Sequence, residues 1–122
     1  MGKYTFQKTE RLSGEKSIRE LFKKGISIKV FPIRVIVMKH PSQEYPVHQV
    51  LISVAKQSFK KATDRNTVKR RIREGYRLNK SKLATTEKLM IAYLYTAKEI
   101  LPSSVIHEKL IESINRINEN FG

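Results

Sequence analysis

The chain of 122 residues contains no cysteine. Disulfide bonds, thiolate metal sites and cysteine nucleophiles are therefore excluded together. Only five glycines occur, and none stands in a phosphate-cradling loop or a Gly-x-Ser-x-Gly nucleophile turn. No apolar run approaches the ~20 residues needed to cross a bilayer, and the first residues lack the apolar segment of a secretory signal. These absences predict a cytoplasmic protein with no membrane partner and no visible catalytic apparatus of its own.

Histidines are also few, and their positions do not suggest a metal site. His40, His48 and His107 are far apart and show no metal-ligand spacing. Surface or capping roles are therefore favoured for all three. Any metal that the protein holds cannot be assigned from the sequence.

Positive charge is abundant, and it is concentrated in one segment. Residues 56–82 contain eleven basic residues against two acids, which is +9 of the formal net charge of +14. A solvated helix is the alternative interpretation, but such helices mix charges of both signs along the exposed face. Charge of one sign on one short element is the electrostatic pattern of proteins that bind a polyphosphate. The segment therefore predicts a nucleic-acid partner.

The length predicts one folded domain over residues 1–122, and 39% hydrophobic residues are enough for a single core. Ser13 is a candidate N-cap for a first helix. Ile18, Leu21 and Phe22 recur in that helix at helical spacing, and Gly25 is expected to end it.

Strand patterns surround the basic segment. Residues 26–39 are rich in β-branched side chains, with Pro32 near the early end, and predict a strand buried on both faces near its middle. Residues 49–55 predict a second strand, and the short connection favours an antiparallel hairpin with the first. Residues 88–95 predict a third strand, so that the basic helix between the second and third forms a βαβ crossover. The predicted order is αββαβα, or αβββαβα if residues 26–39 break in two.

The basic helix is predicted to start near Asp64, with Thr63 or Asp64 as its cap. Its apolar residues form one stripe, Val68, Ile72 and Tyr76. Beside that stripe lies a polar arc, with Arg71 outside it: Arg65, Asn66, Lys69, Arg70, Arg73 and Arg77. One edge of the helix is thus expected to be buried while the adjoining face lies along a phosphate backbone. After Pro102, a last helix carries an apolar stripe for which core packing is favoured over a partner groove: Ile106, Leu110, Ile114, Ile117 and Phe121.

Three strings together resemble the signature of the bacterial ribonuclease P protein component. They are Ser53-Val54-Ala55-Lys56, then Lys60-Lys61-Ala62, then Arg65-Asn66-x-x-Lys69-Arg70-x-x-Arg73-Glu74. The earlier Phe6-x-Lys8-x-x-Arg11-Leu12 and Leu21-Phe22-Lys23-Lys24-Gly25 are similar to segments of that family in corresponding places. The resemblance covers roughly residues 4–96, and the last helix fits the family's order.

The resemblance implies an α/β fold, an α+β sandwich of order αβββαβα, similar to the second domain of ribosomal protein S5. It also implies a left-handed crossover through the basic helix. The implied function is that of the protein subunit of an endoribonuclease, which joins a catalytic RNA to remove the 5′ leader from precursor tRNA. In that family the RNA and its Mg²⁺ ions carry out the hydrolysis, so the partners implied are the catalytic RNA and precursor tRNA, with no DNA.

Two binding surfaces follow from the resemblance. The first contacts the catalytic RNA and comprises Lys56, Lys60, Lys61, Arg65, Asn66, Lys69, Arg70 and Arg73. The second is a cleft between the first helix and the sheet that holds the leader, and it comprises Arg11, Ile18, Phe22, Lys29, Arg34 and Ile36. Relatives often carry aromatic residues where Ile18 and Ile36 stand, so an ordinary core role for these two is the alternative. For Arg65 and Asn66 the alternative is that they fix the start of the helix through backbone hydrogen bonds.

Three other functions compete with this interpretation. A ribosomal or general structural RNA-binding protein of the same fold is the main alternative. A helix-turn-helix DNA regulator is disfavoured because the β-rich first half does not supply two adjacent packed helices. An autonomous nuclease is least favoured, because the sequence lacks clustered carboxylates for metal.

Overall fold

The computed structural model describes residues 8–122, so that Phe6 of the similar amino-terminal segment lies outside the described residues. Short 3₁₀ turns occupy Lys8–Glu10 and Lys80–Lys82. The helices and strands are α1 (Glu15–Lys24), β1 (Ile26–Val30), β2 (Ile33–Lys39), β3 (Gln49–Val54), α2 (Ala62–Asn79), β4 (Leu89–Tyr95) and α3 (Ser103–Phe121). Residues 26–39 therefore break in two, and the order is αβββαβα.

The four strands form one mixed sheet in the order β1-β2-β4-β3. Strands β1 and β2 pair antiparallel around a turn at Phe31-Pro32, whose peptide bond is cis. Strand β4 pairs antiparallel with β2 and parallel with β3. Helix α2 connects the parallel strands β3 and β4, so the βαβ crossover is confirmed. Its handedness and the likeness to ribosomal protein S5 stay predictions.

The predicted hairpin between residues 26–39 and 49–55 is wrong. Strand β4 lies between β2 and β3, and the hairpin is instead formed by β1 and β2. The physical reason is the composition of β4, in which six of seven residues are buried. A strand that is apolar on both faces gains most burial in the centre of a sheet. Strand β3, which carries Gln49 and Ser53, is left at the edge.

Alternate residues of each strand point to opposite faces, and the helices cover these faces unequally. One face packs against α2 and α3 and holds the main core, including Val35, Ile91 and Tyr93. Among the described residues, the other face packs against α1 and Leu12, around Leu21 and Ile36. These elements do not cover all four strands, so the described residues leave part of this second face open.

The helix starts differ from the sequence prediction at both caps. Gly14 rather than Ser13 precedes α1, and its φ of 101° lies in the left-handed region that glycine adopts without a Cβ clash. Helix α2 begins at Ala62 after Lys61, with no side-chain cap from Thr63 or Asp64. Asp64 instead lies in the first turn, where its charge complements the helix dipole.

The apolar stripes of the two long helices are confirmed. Val68, Ile72 and Tyr76 of α2 are buried, as are four members of the α3 stripe, with Phe121 half-buried against them. The helices approach closely at Gly75, where a Cβ would stand 2.8 Å from the Leu110 Cδ2. Tight contact with α3 holds α2 in place and leaves its opposite side to solvent.

His48 illustrates how the core affects a titrating group. Its half-buried ring lies at the start of β3, where Nδ1 accepts a hydrogen bond of 2.9 Å from the Leu89 N–H. Burial, with a contribution from the charge of Lys88, lowers the pKa of His48 from 6.5 to about 4. The neutral ring is therefore the form that the fold favours.

This shift predicts a pH-dependent loss of stability. Between pH 6.5 and about 4 the unfolded chain binds this proton and the folded chain does not, so the free energy of unfolding falls as pH decreases. Because the ring is partly exposed to solvent, we expect a loss of about 1 kcal/mol. Urea unfolding at several pH values checks it, and His48→Gln should show a shallower pH dependence than the unsubstituted protein. Equal slopes for the two proteins would contradict this role.

Candidate nucleic-acid interface

The cationic side chains predicted to contact RNA lie together on and just before α2. Most of this set is exposed to solvent: Lys56, Lys60, Lys61, Asn66, Arg70 and Arg73. Arg65 and Lys69 are half-buried. The buried stripe fixes the rotation of α2, and the face beside the stripe therefore presents Lys69, Arg70 and Arg73 together. Guanidinium groups bind phosphate through two donors and ammonium groups bind it as point charges.

Arg65 has a structural contact that the other members lack. Its Nη1 donates to the Phe59 carbonyl at 2.6 Å and to the Lys60 carbonyl at 3.1 Å. These bonds hold the connector against the first turn of α2. The second interpretation considered for Arg65, that it fixes the helix start, thus has direct structural support. Asn66 makes no such contact within the described residues and is exposed.

Arg71 and Arg77 have protein partners. Arg71 donates from Nη1 to the Leu101 carbonyl at 2.7 Å, which ties α2 to the loop before α3. Arg77 forms an ion pair with Glu74 at 2.5 Å. The hydrogen bond from Arg77 lowers the pKa of the Glu74 carboxyl. The contact of Arg71 agrees with its predicted position outside the polar arc, whereas Arg77, which was placed on that arc, is half-buried beside Glu74.

The predicted leader cleft lies on the open face of the sheet beside α1. Ile36 is buried beneath α1, Ile18 is half-buried and Phe22 is 43% exposed. The burial of Ile36 agrees with the alternative of an ordinary core role, while the Phe22 ring is accessible to solvent. The sequence did not identify Leu51 and Leu94, which are half-buried on the same face beyond α1. Strand pairing places them there, with Leu94 opposite Arg34 and Leu51 opposite Ala92, and neither strand shows an alternation that would have revealed it from the sequence.

Arg11 joins the two predicted surfaces at the β3 edge. It forms a bridge with Val50, and the Leu12 N–H donates to the Val50 carbonyl at 2.9 Å. A cavity of about 190 Å³ is lined there by Arg11, Leu12, Val50, Leu51, Ile52, Lys69 and Arg73. Two cations from α2 and one from the amino-terminal segment therefore meet where the open face of the sheet ends.

Lys29 and Arg34 lie at the other side of the open face. They are paired across β1 and β2, and both are exposed. Arg34 donates from Nε to the Ser27 Oγ at 2.9 Å, which orients the guanidinium on this face. Because β1 and β3 are opposite edges of the sheet, cations lie near both sides of its open face.

Metal-binding groups do not converge within residues 8–122. No three His, Asp or Glu side chains in that range are placed to hold a metal ion together. The donor set of the interface is thus cationic and suited to phosphate.

None of the helices within residues 8–122 is long and apolar enough to cross a membrane.

Sequence comparison relates this chain to a known family. The family profile described as Ribonuclease P matches residues 6–118. The ribonuclease P protein component of Porphyromonas gingivalis is 32% identical over 122 residues, which cover 96% of this chain and 89% of the relative. That of Chlorobaculum tepidum is 31% identical over 103 residues, with 74% of this chain and 67% of the relative covered.

Solved structures show the same architecture. The RNase P protein of Staphylococcus aureus superimposes with a TM-score of 0.74 at 25% identity, covering 93% of this chain and 98% of that chain. The RNase P protein from Thermotoga maritima gives a TM-score of 0.73 at 27% identity, covering 88% and 96% of the two chains. The mixed α/β fold is therefore shared with these proteins.

Proposed function

This chain belongs to the ribonuclease P protein family, and we propose that it is the RNA-binding subunit of a ribonucleoprotein that removes the 5′ leader from precursor tRNA. In this proposal, α2 and the residues before it contact the catalytic RNA. The cleft between α1 and the sheet holds the single-stranded leader. The substrate is thus bound partly by RNA and partly by protein.

The observation that carries the proposal is the one-sided charge of α2. Val68, Ile72 and Tyr76 are buried, while Lys69, Arg70 and Arg73 lie on the adjoining face. Because packing already fixes the orientation of α2, binding RNA does not have to order the helix, and its charges already share one face. At least half of the hydrogen bonds between proteins and DNA go to phosphate and sugar. A face of lysine and arginine side chains supplies the donors for such bonds.

The chemistry of phosphodiester hydrolysis is assigned to the RNA partner. Magnesium ions prefer clustered oxygen ligands, and the described residues offer no cluster of carboxylates for them. The side chains present do not fit a protein-held Mg²⁺ site. We therefore assign the ions to the RNA, and the protein's part is to bind and position both RNAs.

The leader cleft combines an accessible ring with charge on both sides. Phe22 offers a stacking surface, and Arg11 and Arg34 stand near opposite edges of the sheet. Single-stranded RNA is commonly bound by this combination of stacking and phosphate contacts. Such contacts tolerate different base sequences, which suits leaders of varied sequence.

Reconstitution tests the proposed function. The protein is combined with a bacterial catalytic RNA and precursor tRNA at low Mg²⁺ concentration, and the cleavage rate is compared with that of the RNA alone. We expect faster cleavage at the leader junction when the protein is present. A general structural RNA-binding protein would bind RNA without this acceleration, so an unchanged rate would overturn the proposal.

Phe22→Ala probes the leader cleft within the reconstituted enzyme. Loss of a stacking ring should weaken binding of precursor tRNA by about tenfold, since one base–aromatic stack is worth about 1–3 kcal/mol. Binding of mature tRNA should be unchanged because it has no leader. Leu78→Ala is the matched control, since Leu78 is 44% exposed on α2 and outside the cleft. Equal weakening for precursor and mature tRNA would instead indicate a folding defect.

A further inference from the structure

An exposed aromatic ring lies outside the cleft, at the tip of the β1–β2 hairpin. Phe31 is 66% exposed, the largest exposed fraction among the large hydrophobic side chains that the structure describes. It borders a cavity of about 280 Å³ together with Lys29, Ile33, Arg34 and Thr96. An exposed aromatic ring flanked by two cations at a surface cavity is suited to a ligand that has both aromatic rings and anionic groups.

The turn that carries Phe31 is firmly attached to the sheet. The Pro32 carbonyl accepts hydrogen bonds from the Thr96 N–H at 2.8 Å and from the Thr96 Oγ at 3.1 Å. Pro32 and Ile33 are buried. The ring therefore stands on an ordered support, which reduces the entropy that binding would cost.

A second and more open depression shares Lys29 and Arg34 and lies along the β1 edge. Its volume is about 770 Å³, and it is lined by Ser27, Ile28, Lys29, Arg34, Arg116, Glu119 and Asn120. Arg116 donates from Nη1 to the Lys29 carbonyl at 3.3 Å. Its Nη2 forms an ion pair with the Glu112 Oε2 at 3.5 Å. Among the described residues, no acid forms an ion pair with Lys29. Three cations thus outnumber the single acid in this lining.

We propose that Lys29, Phe31, Arg34 and Arg116, here called the hairpin site, form a second stacking site for the single-stranded leader. Phe31 stacks on a base, and the three cations contact the flanking phosphates. This inference rests on the proposed function, because it extends the path of the same RNA strand beyond the cleft.

The position of the hairpin site favours the leader over the catalytic RNA. Arg34 precedes Ile36 by two residues on β2 and faces the same side of the sheet. Ile36 is three residues from the start of β2 at Ile33, or about 10 Å at about 3.3 Å per residue, and the turn that carries Phe31 lies directly beyond that end. The cavity lined by Lys69 and Arg73 lies instead at β3, the opposite edge of the sheet. A strand leaving the cleft across β2 reaches Phe31, whereas RNA on α2 is directed to the far edge.

The composition of the cleft gives an independent reason for such a site. Ile18 and Ile36 are aliphatic, and Phe22 is the ring that α1 provides. Stacking on the protein is therefore limited within the cleft. The hairpin site supplies a second ring on the continuation of the same face.

Tryptophan fluorescence provides a direct test, because the chain contains no tryptophan. The Phe31→Trp protein is assembled with the catalytic RNA, and its emission is followed while precursor tRNA with a long or a very short leader is added. We expect quenching with the long leader only. Leu78→Trp is the control and should respond to neither substrate. Unchanged emission at position 31 with the long leader would overturn the inference.

Binding of substrate by the assembled enzyme gives the second test. Phe31→Ala should weaken binding of the long-leader substrate by about fivefold to tenfold and leave the short-leader substrate unaffected. Phe31→Tyr keeps a ring and should restore binding. Loss of affinity for the catalytic RNA itself, or equal loss for both leaders, would contradict a leader site. If the protein accelerates cleavage but Phe31→Ala does not change binding of the long-leader substrate, the proposed function stands and only the hairpin site is disproved.

Discussion

Replacing Lys69, Arg70 and Arg73 together by Ala is expected to weaken binding of the catalytic RNA by about 100-fold or more. Hydrogen bonds to charged groups are worth about 1.5–3 kcal/mol each, and three such contacts are removed. The dependence of affinity on salt should also flatten, because fewer counterions are released. At about 0.7 per phosphate contact, the slope of log K against log salt should fall by roughly two units. Titration of the RNA at several salt concentrations measures both quantities.

The matched control removes the same number of charges from other elements. Lys39, Lys98 and Lys109 lie on β2, the loop before α3 and α3, and their replacement by Ala leaves α2 intact. If net charge alone attracted the RNA, this control would lower affinity as much as the α2 variant. An unchanged salt slope in the α2 variant would assign its three side chains to a structural role.

Ile72→Ala is expected to lower the free energy of unfolding by about 3 kcal/mol. Ile72 is fully buried in the core against which α2 packs, and its removal leaves a cavity between the helix and the sheet. Affinity for the catalytic RNA should be unchanged at temperatures where the variant remains folded, because the exposed face of α2 is not altered. Urea unfolding and RNA titration of the same preparation check the two expectations.

Arg70→Ala is the complement of that experiment. Arg70 is two residues away on the same helix and is exposed, so the free energy of unfolding should change by less than about 0.5 kcal/mol while RNA affinity falls. Together the two variants separate the buried and exposed sides of α2. Loss of RNA affinity in folded Ile72→Ala, or loss of stability in Arg70→Ala, would contradict that division.

Helical periodicity carried most of the successful prediction. The stripes of α2 and α3 are visible in the sequence because positions three and four residues apart share one side of a helix, whatever the helix later contacts. The exposed position of Arg70 and the separate role of Arg71 followed from the same geometry. These features depend on local spacing alone.

The strand neighbours depended on contacts far apart in the chain. The sequence showed that residues 26–39, 49–55 and 88–95 favour strands, but the short connection after β2 suggested the wrong partner. Burial of β4 on both faces decides that it lies between β2 and β3. The caps also depend on backbone conformation and on contacts of the connector: Gly14 precedes α1 with a left-handed φ, and Arg65 bonds to the residues before α2.

The residues of both surfaces stay predictions, and their arrangement depends on the fold. The RNA-binding and cleft residues were assigned to two separate surfaces, and the fold brings Arg11 to Lys69 and Arg73 at the β3 edge. Phe31 was not identified, because Pro32 was interpreted as the early part of one strand and not as a turn. The exposure of that ring depends on the hairpin that the turn creates.

The central claim is that α2 contacts the catalytic RNA while the cleft beside α1 holds the leader. Because the chain has no cysteine, one introduced cysteine can carry an iron chelate that cleaves nearby RNA. Thr63→Cys places the chelate on the first turn of α2 and Lys23→Cys places it on α1, and both positions are exposed. In the assembled enzyme with precursor tRNA, we predict cuts in the catalytic RNA from position 63 and cuts in the leader from position 23. Leader cuts from position 63 with none from position 23 would contradict the claim.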